Sequence, residues 1–159
     1  AVDIFKLNEV FCLASFDIAI TMRVLINLPD FQLQSKALEI ISKLLKSNGR
    51  YIAIENFEDG QENMNKMRTS LGLPQIPIRW HNLFFDATPF KLVAQQYYRN
   101  VEIIDFASTY YYITRIVYSQ MCLLQGVEPD YEHPLHRVAV ELPANGEYSP
   151  VKLVILTKD

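Results

Sequence analysis

The sequence predicts an α/β protein of the doubly wound kind, and three observations carry that reading. Residues 15–56 read as one strand–helix–strand crossover. Near-continuous apolar runs, suited to strands covered on both faces, recur before and after a single amphipathic helix. The final stretch, PVKLVILTKD, is a terminal strand. A parallel pair joined through a helix is the expected product of the crossover, with right-handed connection.

The elements follow in order. Phe16, Ile18 and Ile20 alternate with Asp17, Ala19 and Thr21, and apolar character continues from Met22 to Leu28. Pro29 and Asp30 mark a break, and the Asp30 carboxylate suits the free amides of a first helical turn. Ala37, Leu38, Ile40, Ile41, Leu44 and Leu45 then form a stripe wide enough to cover a sheet. Lys43 and Lys46 favour the carboxyl end of that helix, and Asn48-Gly49 is expected to cap it in the left-handed conformation. Residues 51–55, YIAIE, form the next strand.

Met64, Met67 and Leu71 fall at helical spacing, so residues 60–71 are expected to be a short helix closed by Gly72. The following LPQIPIRWHNLFFDATPF holds three prolines and a Trp80-His81 pair, a loop of the type that covers ligands beside a sheet. A helix is expected over 89–99 and a strand over 101–105. FASTYYYITRIVYSQMCLL has strand-like composition, but Tyr110, Ile113, Val117 and Met121 share one helical face and Ser108 suits a cap, which favours helix. A short helix over 135–142 and a turn at Pro143, Asn145 and Gly146 complete the chain.

Composition bounds the function. The 159 residues are 50% hydrophobic, enough for a sizeable core in one domain. A net charge of -3 with no basic stripe argues against nucleic acid as a partner. Residues 10–28 are apolar enough to suggest a membrane span, but Asp17 and Arg23 are costly at a bilayer centre, so a buried strand and no membrane are expected. Cys12 and Cys122 make neither a disulfide framework nor a metal spacing and read as reduced thiols of a cytoplasmic protein. His133 and His136 stand three apart with Pro134 between them, and two histidines make no metal site.

The pattern Phe16-Asp17-Ile18-Ala19, then RVLINLP, a helix, Leu45-Lys46-Ser47-Asn48-Gly49, and YIAIE resembles the class I S-adenosylmethionine (SAM)-dependent methyltransferases. The specific motifs lie within residues 16–55, while the element order agrees along nearly the whole chain. The resemblance implies the carboxyl-terminal part of a Rossmann-like methyltransferase sheet, mostly parallel with an antiparallel last strand, as a single partial domain over residues 1–159. Residues 57–100 and 108–142 become helical elaborations on the substrate side. The five glycines, at 49, 60, 72, 126 and 146, include no G-x-G, so the cofactor loop typical of the family is not in this sequence. The chain is therefore expected to be incomplete and weak or inactive alone.

By the same resemblance, Asp3 and Ile4 correspond to the segment that meets the adenine, and Thr21, Met22 and Arg23 lie where the methionine moiety and the acceptor meet. Asp3 reads equally as an exposed terminal acid. Arg23 and Glu55 read either as a structural pair, since an unpaired buried charge is prohibitive, or as acceptor-binding residues. His81 is a candidate base for an acceptor proton, against the plain reading of a polar loop histidine. Trp80, Tyr110, Tyr111 and Tyr112 read first as core and second as an aromatic cage. The catalytic set is then His81, Arg23 and Glu55, with SAM as cofactor and a small-molecule acceptor such as a sugar or metabolite. The alternatives are a non-catalytic interaction module, self-associating through an open sheet edge, and a fragment of another nucleotide-binding enzyme.

Overall fold

The computed structural model describes residues 2–159, which divide into two compact units. Among the described residues, unit 1 comprises 2–56, 79–104 and 153–159, and unit 2 comprises 57–78 and 105–152.

Unit 1 is built on a sheet. A short 3₁₀ turn (Ile4–Lys6) and helix α1 (Leu7–Val10) lead to β1 (Phe16–Met22). A second 3₁₀ turn (Leu25–Asn27) precedes α2 (Phe31–Leu44), which is followed directly by β2 (Leu45–Asn56). Helix α3 (Glu58–Ser70) belongs to unit 2, after which α4 (Ala87–Ala94) and β3 (Asn100–Ile104) return to unit 1. Strand β4 (Val151–Thr157) completes a four-stranded mixed sheet in the order β1-β2-β4-β3. Strands β1 and β2 are parallel, with Ile18 opposite Arg50 and Met22 opposite Ile54. Strands β3 and β4 are antiparallel, with Asn100 opposite Thr157 and Ile104 opposite Leu153.

Helix α2 begins as expected: the Asp30 side chain accepts from the Leu33 amide at 2.8 Å. Its apolar stripe is buried, Ala37 and Leu38 completely so. The Tyr98 hydroxyl, held protonated by burial, donates to the Leu38 carbonyl at 3.0 Å. The expected cap at Asn48-Gly49 needs correction. The helix ends at Leu44, and the chain enters β2 at once. Asn48 does take the left-handed conformation (φ 61°), but within an irregularity of the β1–β2 register between Phe16↔Leu45 and Ile18↔Arg50. Short polar side chains tolerate that conformation, and a bulge requires it as readily as a helix end does.

Strand β1 ends at Met22, because Arg23 adopts φ 53° and the next residues turn, so the apolar run to Leu28 is not one strand. Strand β1 is also the edge of the sheet. Ile18, Ile20 and Met22 are 52%, 71% and 68% exposed, against the expectation of a strand covered on both faces. No helix among the described residues is long and apolar enough to cross a membrane.

Unit 2 is helical. Helix α3 is closed by Gly72 at φ 76°. After residue 104 the chain forms α5 (Ser108–Tyr111), a π-helical turn (Tyr112–Val117) and α6 (Tyr118–Gln125), in the helical sense that the shared face of Tyr110, Ile113, Val117 and Met121 predicts. Helix α6 ends at Gly126, left-handed at φ 68°, and α7 (Leu135–Glu141) follows. Gly60 packs against the Ser149 carbonyl and the Pro150 nitrogen, so that an added Cβ has no room.

One ion pair in unit 2 has a titration consequence. Lys152, 6% exposed, bonds its ammonium to the Asp59 carboxylate. The neighbouring Asp105 has two buried oxygens that no hydrogen bond reaches. Burial is the main cause that pushes its carboxyl up to about 6, opposed by Lys152, reinforced by Asp59 and Glu147, and weakly opposed by the Ser108 amide. A carboxyl raised on folding favours the folded state while protonated, and that contribution is lost as pH rises from the ordinary range near 4 through about 6. Asp105→Asn is therefore expected to flatten the stability profile over that window. At pH 8 Asp105→Asn is expected to gain about 0.5–1 kcal/mol, after allowance for solvent screening around a residue that is only partly buried as a whole. Urea titrations at pH 5 and pH 8 check this, and a variant whose profile still parallels the parent contradicts it.

Candidate functional site

The carboxyl ends of β1 and β2 in unit 1 carry the most ordered polar arrangement near the crossover. Glu55, 1% exposed, sits at the end of β2. Its Oε1 accepts from the amides of Val24 at 3.1 Å and Leu25 at 3.0 Å, and its Oε2 from that of Ile26 at 3.3 Å. The turn after β1 thus directs three consecutive amides at one carboxylate. Burial raises the Glu55 carboxyl above its ordinary value, while the three amides and, last, the Arg23 charge oppose the rise.

That geometry revises the expected Arg23–Glu55 pair. Among the described residues no ion pair joins them: Arg23 is exposed, and backbone amides satisfy Glu55 instead. Arg23 bonds through its backbone, donating to the Ile54 carbonyl at 2.7 Å and accepting from Asn27 Nδ2 at 2.6 Å. Its left-handed backbone, rare for a residue with a Cβ, turns the chain away from the sheet at the strand end.

Two further side chains hold this turn, and sequence reasoning did not single them out. Gln34 is fully buried on α2 and donates through Nε2 to the carbonyls of Leu25 at 3.2 Å and Leu83 at 2.9 Å. The signal was a polar residue on the buried face that also carries Ala37, Leu38 and Ile41. Tyr51 is the other: its hydroxyl shares a 2.6 Å hydrogen bond with Thr21 Oγ1, and burial keeps it protonated.

The loop bearing Trp80 and His81 is stitched to the same turn, since the Leu83 amide donates to the Ile26 carbonyl at 2.7 Å. His81 itself is exposed, its ring 5.3 Å from that of Trp80. Trp80 is 95% exposed, so it is no core residue. Tyr110, Tyr111 and Tyr112 lie in unit 2 and are half-buried. Asp3 is exposed and accepts from the Phe5 amide at 3.0 Å, capping the first 3₁₀ turn. Ile4 and Thr21 line one groove of about 310 Å³ along the open edge of β1, between α1 and α2. The structure therefore gathers Thr21, Met22, Arg23 and Glu55 at the strand ends and brings Ile4 to the flanking groove.

The groove is apolar apart from the Thr21 hydroxyl, which suits flat, weakly polar surface. Asn56, buried at the end of β2, has an Oδ1 with no hydrogen-bond partner, an acceptor of the kind an amino or ammonium donor takes up. Arg23 offers an exposed cation to a carboxylate. An apolar groove, an unpaired acceptor and an exposed cation fit in kind a molecule such as SAM, which carries an aromatic ring, an ammonium and a carboxylate.

No family model matches the chain, and no curated protein matches it in sequence. Among solved structures it is similar to a SAM-dependent methyltransferase from Thermotoga maritima (14% identity, 94% of this chain and 59% of that one, TM-score 0.52). A SAM-dependent methyltransferase from Archaeoglobus fulgidus is also similar (12% identity, 99% and 66%, TM-score 0.56). So is one from Methanosarcina mazei (10% identity, 99% and 65%, TM-score 0.51). The chain spans less than two thirds of the length of each. The mixed sheet, its strand order and these likenesses agree: the chain has the α/β fold of class I SAM-dependent methyltransferases.

Proposed function

We propose that this chain takes part in SAM-dependent methyl transfer to a small-molecule acceptor. The observation that carries the reading is the strand order β1-β2-β4-β3 with its antiparallel β3–β4 pair, in a fold whose solved examples include methyltransferases from several organisms. SAM supplies a methyl group already activated on a sulfonium. The chain's own residues have the tasks of binding and orientation, which account for much of the acceleration in such a transfer. Thr21, Met22 and Arg23 at the end of β1, with Asn56 beside them in unit 1, are assigned to the methionine end, and Asp3 and Ile4 to the adenine. Glu55 acts as a positioning residue that sets the turn carrying Arg23 to Ile26. His81 is assigned the acceptor proton.

Affinity in this chain alone is expected to be low, because the groove's lining is almost wholly apolar and no G-x-G turn is available to the ribose. Thermal melts with S-adenosylhomocysteine test the reading. Ligand at about a hundred times its dissociation constant adds about 2.7 kcal/mol, a shift of several degrees for a domain of this size. The shift is expected at millimolar but not micromolar concentration. A shift with NAD in its place would favour another nucleotide-binding function, and no shift with either would remove the methyl-transfer reading.

A second reading is supported by the exposed apolar edge of β1. A strand with Ile18, Ile20 and Met22 uncovered is a template for pairing with another chain. Self-association through β1 is expected to appear as concentration-dependent size in sedimentation, and Ile20→Lys is expected to restore the monomer. A parent protein that stays monomeric at every concentration contradicts it.

A further inference from the structure

Unit 2 contains a cavity of about 340 Å³ whose charge is unbalanced. Arg68 and Arg115 both line it. Arg68 is 7% exposed; its Nε donates to the Pro74 carbonyl at 2.9 Å and its Nη1 to the Arg115 carbonyl. Its remaining nitrogen, Nη2, has no hydrogen-bond partner among the described residues. Arg115 lies over the Tyr131 ring, 4.9 Å from guanidinium carbon to ring centre. No ion pair among the described residues engages either guanidinium. Burial and the Arg115 charge both work against the Arg68 cation, lowering its pKa. Two guanidiniums against the single carboxylate of Glu128 leave the lining with excess positive charge, and a ligand anion is the natural balance.

The local backbone points the same way. Thr114 and Arg115 belong to the π-helical turn, a geometry that concentrates at functional sites because it displaces side chains from the regular helical pattern. The rest of the lining is largely apolar, with Leu73, Pro74, Leu123 and Val127 offering a flank to a small organic body. Glu128 also lines the cavity. Its negative charge disfavours a dianion more than a monoanion, and a planar guanidinium matches a carboxylate in two-pronged fashion.

We propose that this unit 2 cavity binds a small organic monocarboxylate, with the carboxylate between Arg68 and Arg115 and the apolar body against Leu73 and Leu123. The anion site stands on unit 2 alone and does not depend on the methyl-transfer reading.

Isothermal titration of the full chain with sodium benzoate tests this. Saturable one-to-one binding is expected, with neutral benzamide at least about tenfold weaker, phenyl phosphate no tighter, and Arg115→Gln reducing benzoate affinity by at least about tenfold. Arg115→Lys, which keeps the charge, is expected to retain part of the binding and serves if the glutamine variant fails to fold. Absence of benzoate binding, equal binding of benzamide, preference for phenyl phosphate, or unchanged affinity in both variants would each overturn the proposal. Melts with S-adenosylhomocysteine on the same samples separate the two readings. A cofactor shift without benzoate binding removes the anion site and leaves methyl transfer. Benzoate binding without a cofactor shift keeps the anion site and removes methyl transfer.

Discussion

Replacement of Glu55 by alanine is expected to lower stability by about 3 kcal/mol or more, a fall of roughly 6–12 °C in melting temperature. The size follows from the geometry. One buried carboxylate is the acceptor for three successive amides, those of Val24, Leu25 and Ile26, and alanine leaves all three without it. Each buried donor without an acceptor costs about 1 kcal/mol or more. Glutamine retains one acceptor oxygen of similar shape, so Glu55→Gln is expected to cost about 1 kcal/mol. The two variants also differ in pH response. Burial raises the Glu55 carboxyl on folding, so the parent loses stability as pH climbs from the ordinary carboxylate range through the raised value, and both variants lose that slope. Denaturant titrations at pH 4.5 and 7.5 would decide the matter; an alanine variant as stable as the parent would show that the turn is held by Gln34 and the backbone alone.

The other large effect is expected at Gly60. A Cβ there falls on the Ser149 carbonyl, backbone against backbone, with the Pro150 nitrogen also within contact. Neither neighbour is the flexible end of a side chain, so relief requires shifting α3 or the residue 149–150 segment. Gly60→Ala is expected to cost about 3 kcal/mol or more, at the upper end of overpacking effects. Gly72 is the control: its φ of 76° strains any Cβ, but nothing lies within 4 Å of one, so Gly72→Ala is expected to cost only about 1 kcal/mol. Equal losses in the two variants would mean that backbone conformation, rather than close approach, sets the penalty at Gly60.

The crossover was legible because its periods are unambiguous. The α2 stripe reaches the core it implies and Asp30 caps where its side chain permits, whereas the alternation in residues 16–22 marks a strand but its apolar side chains stay exposed at the sheet edge. What the sequence hid has physical causes. Asn48 signals a left-handed residue but not whether a helix end or a strand bulge uses it. A π turn adds one residue to a helical pattern, which tertiary contacts such as that between Arg68 and the Arg115 carbonyl accommodate, and no residue type announces it. Trp80 follows no burial rule, since an exposed aromatic is identical in sequence to a buried one. Arg23 and Glu55 lie near each other at the strand ends as their positions in sequence imply, yet three amides, not the exposed guanidinium, take up the carboxylate. Backbone donors are invisible to any reading that counts side-chain charges.

The position of β4 in the sheet has a consequence for biosynthesis. It is the last strand in chain order, yet it lies between β2 and β3. Until residues 151–157 emerge from the ribosome, β3 and the inner edge of β2 lack the strand that pairs with both in the described sheet. Closure of the sheet therefore waits for the last of its four strands to be made, and the facing edges of β2 and β3 stay unpaired until it is.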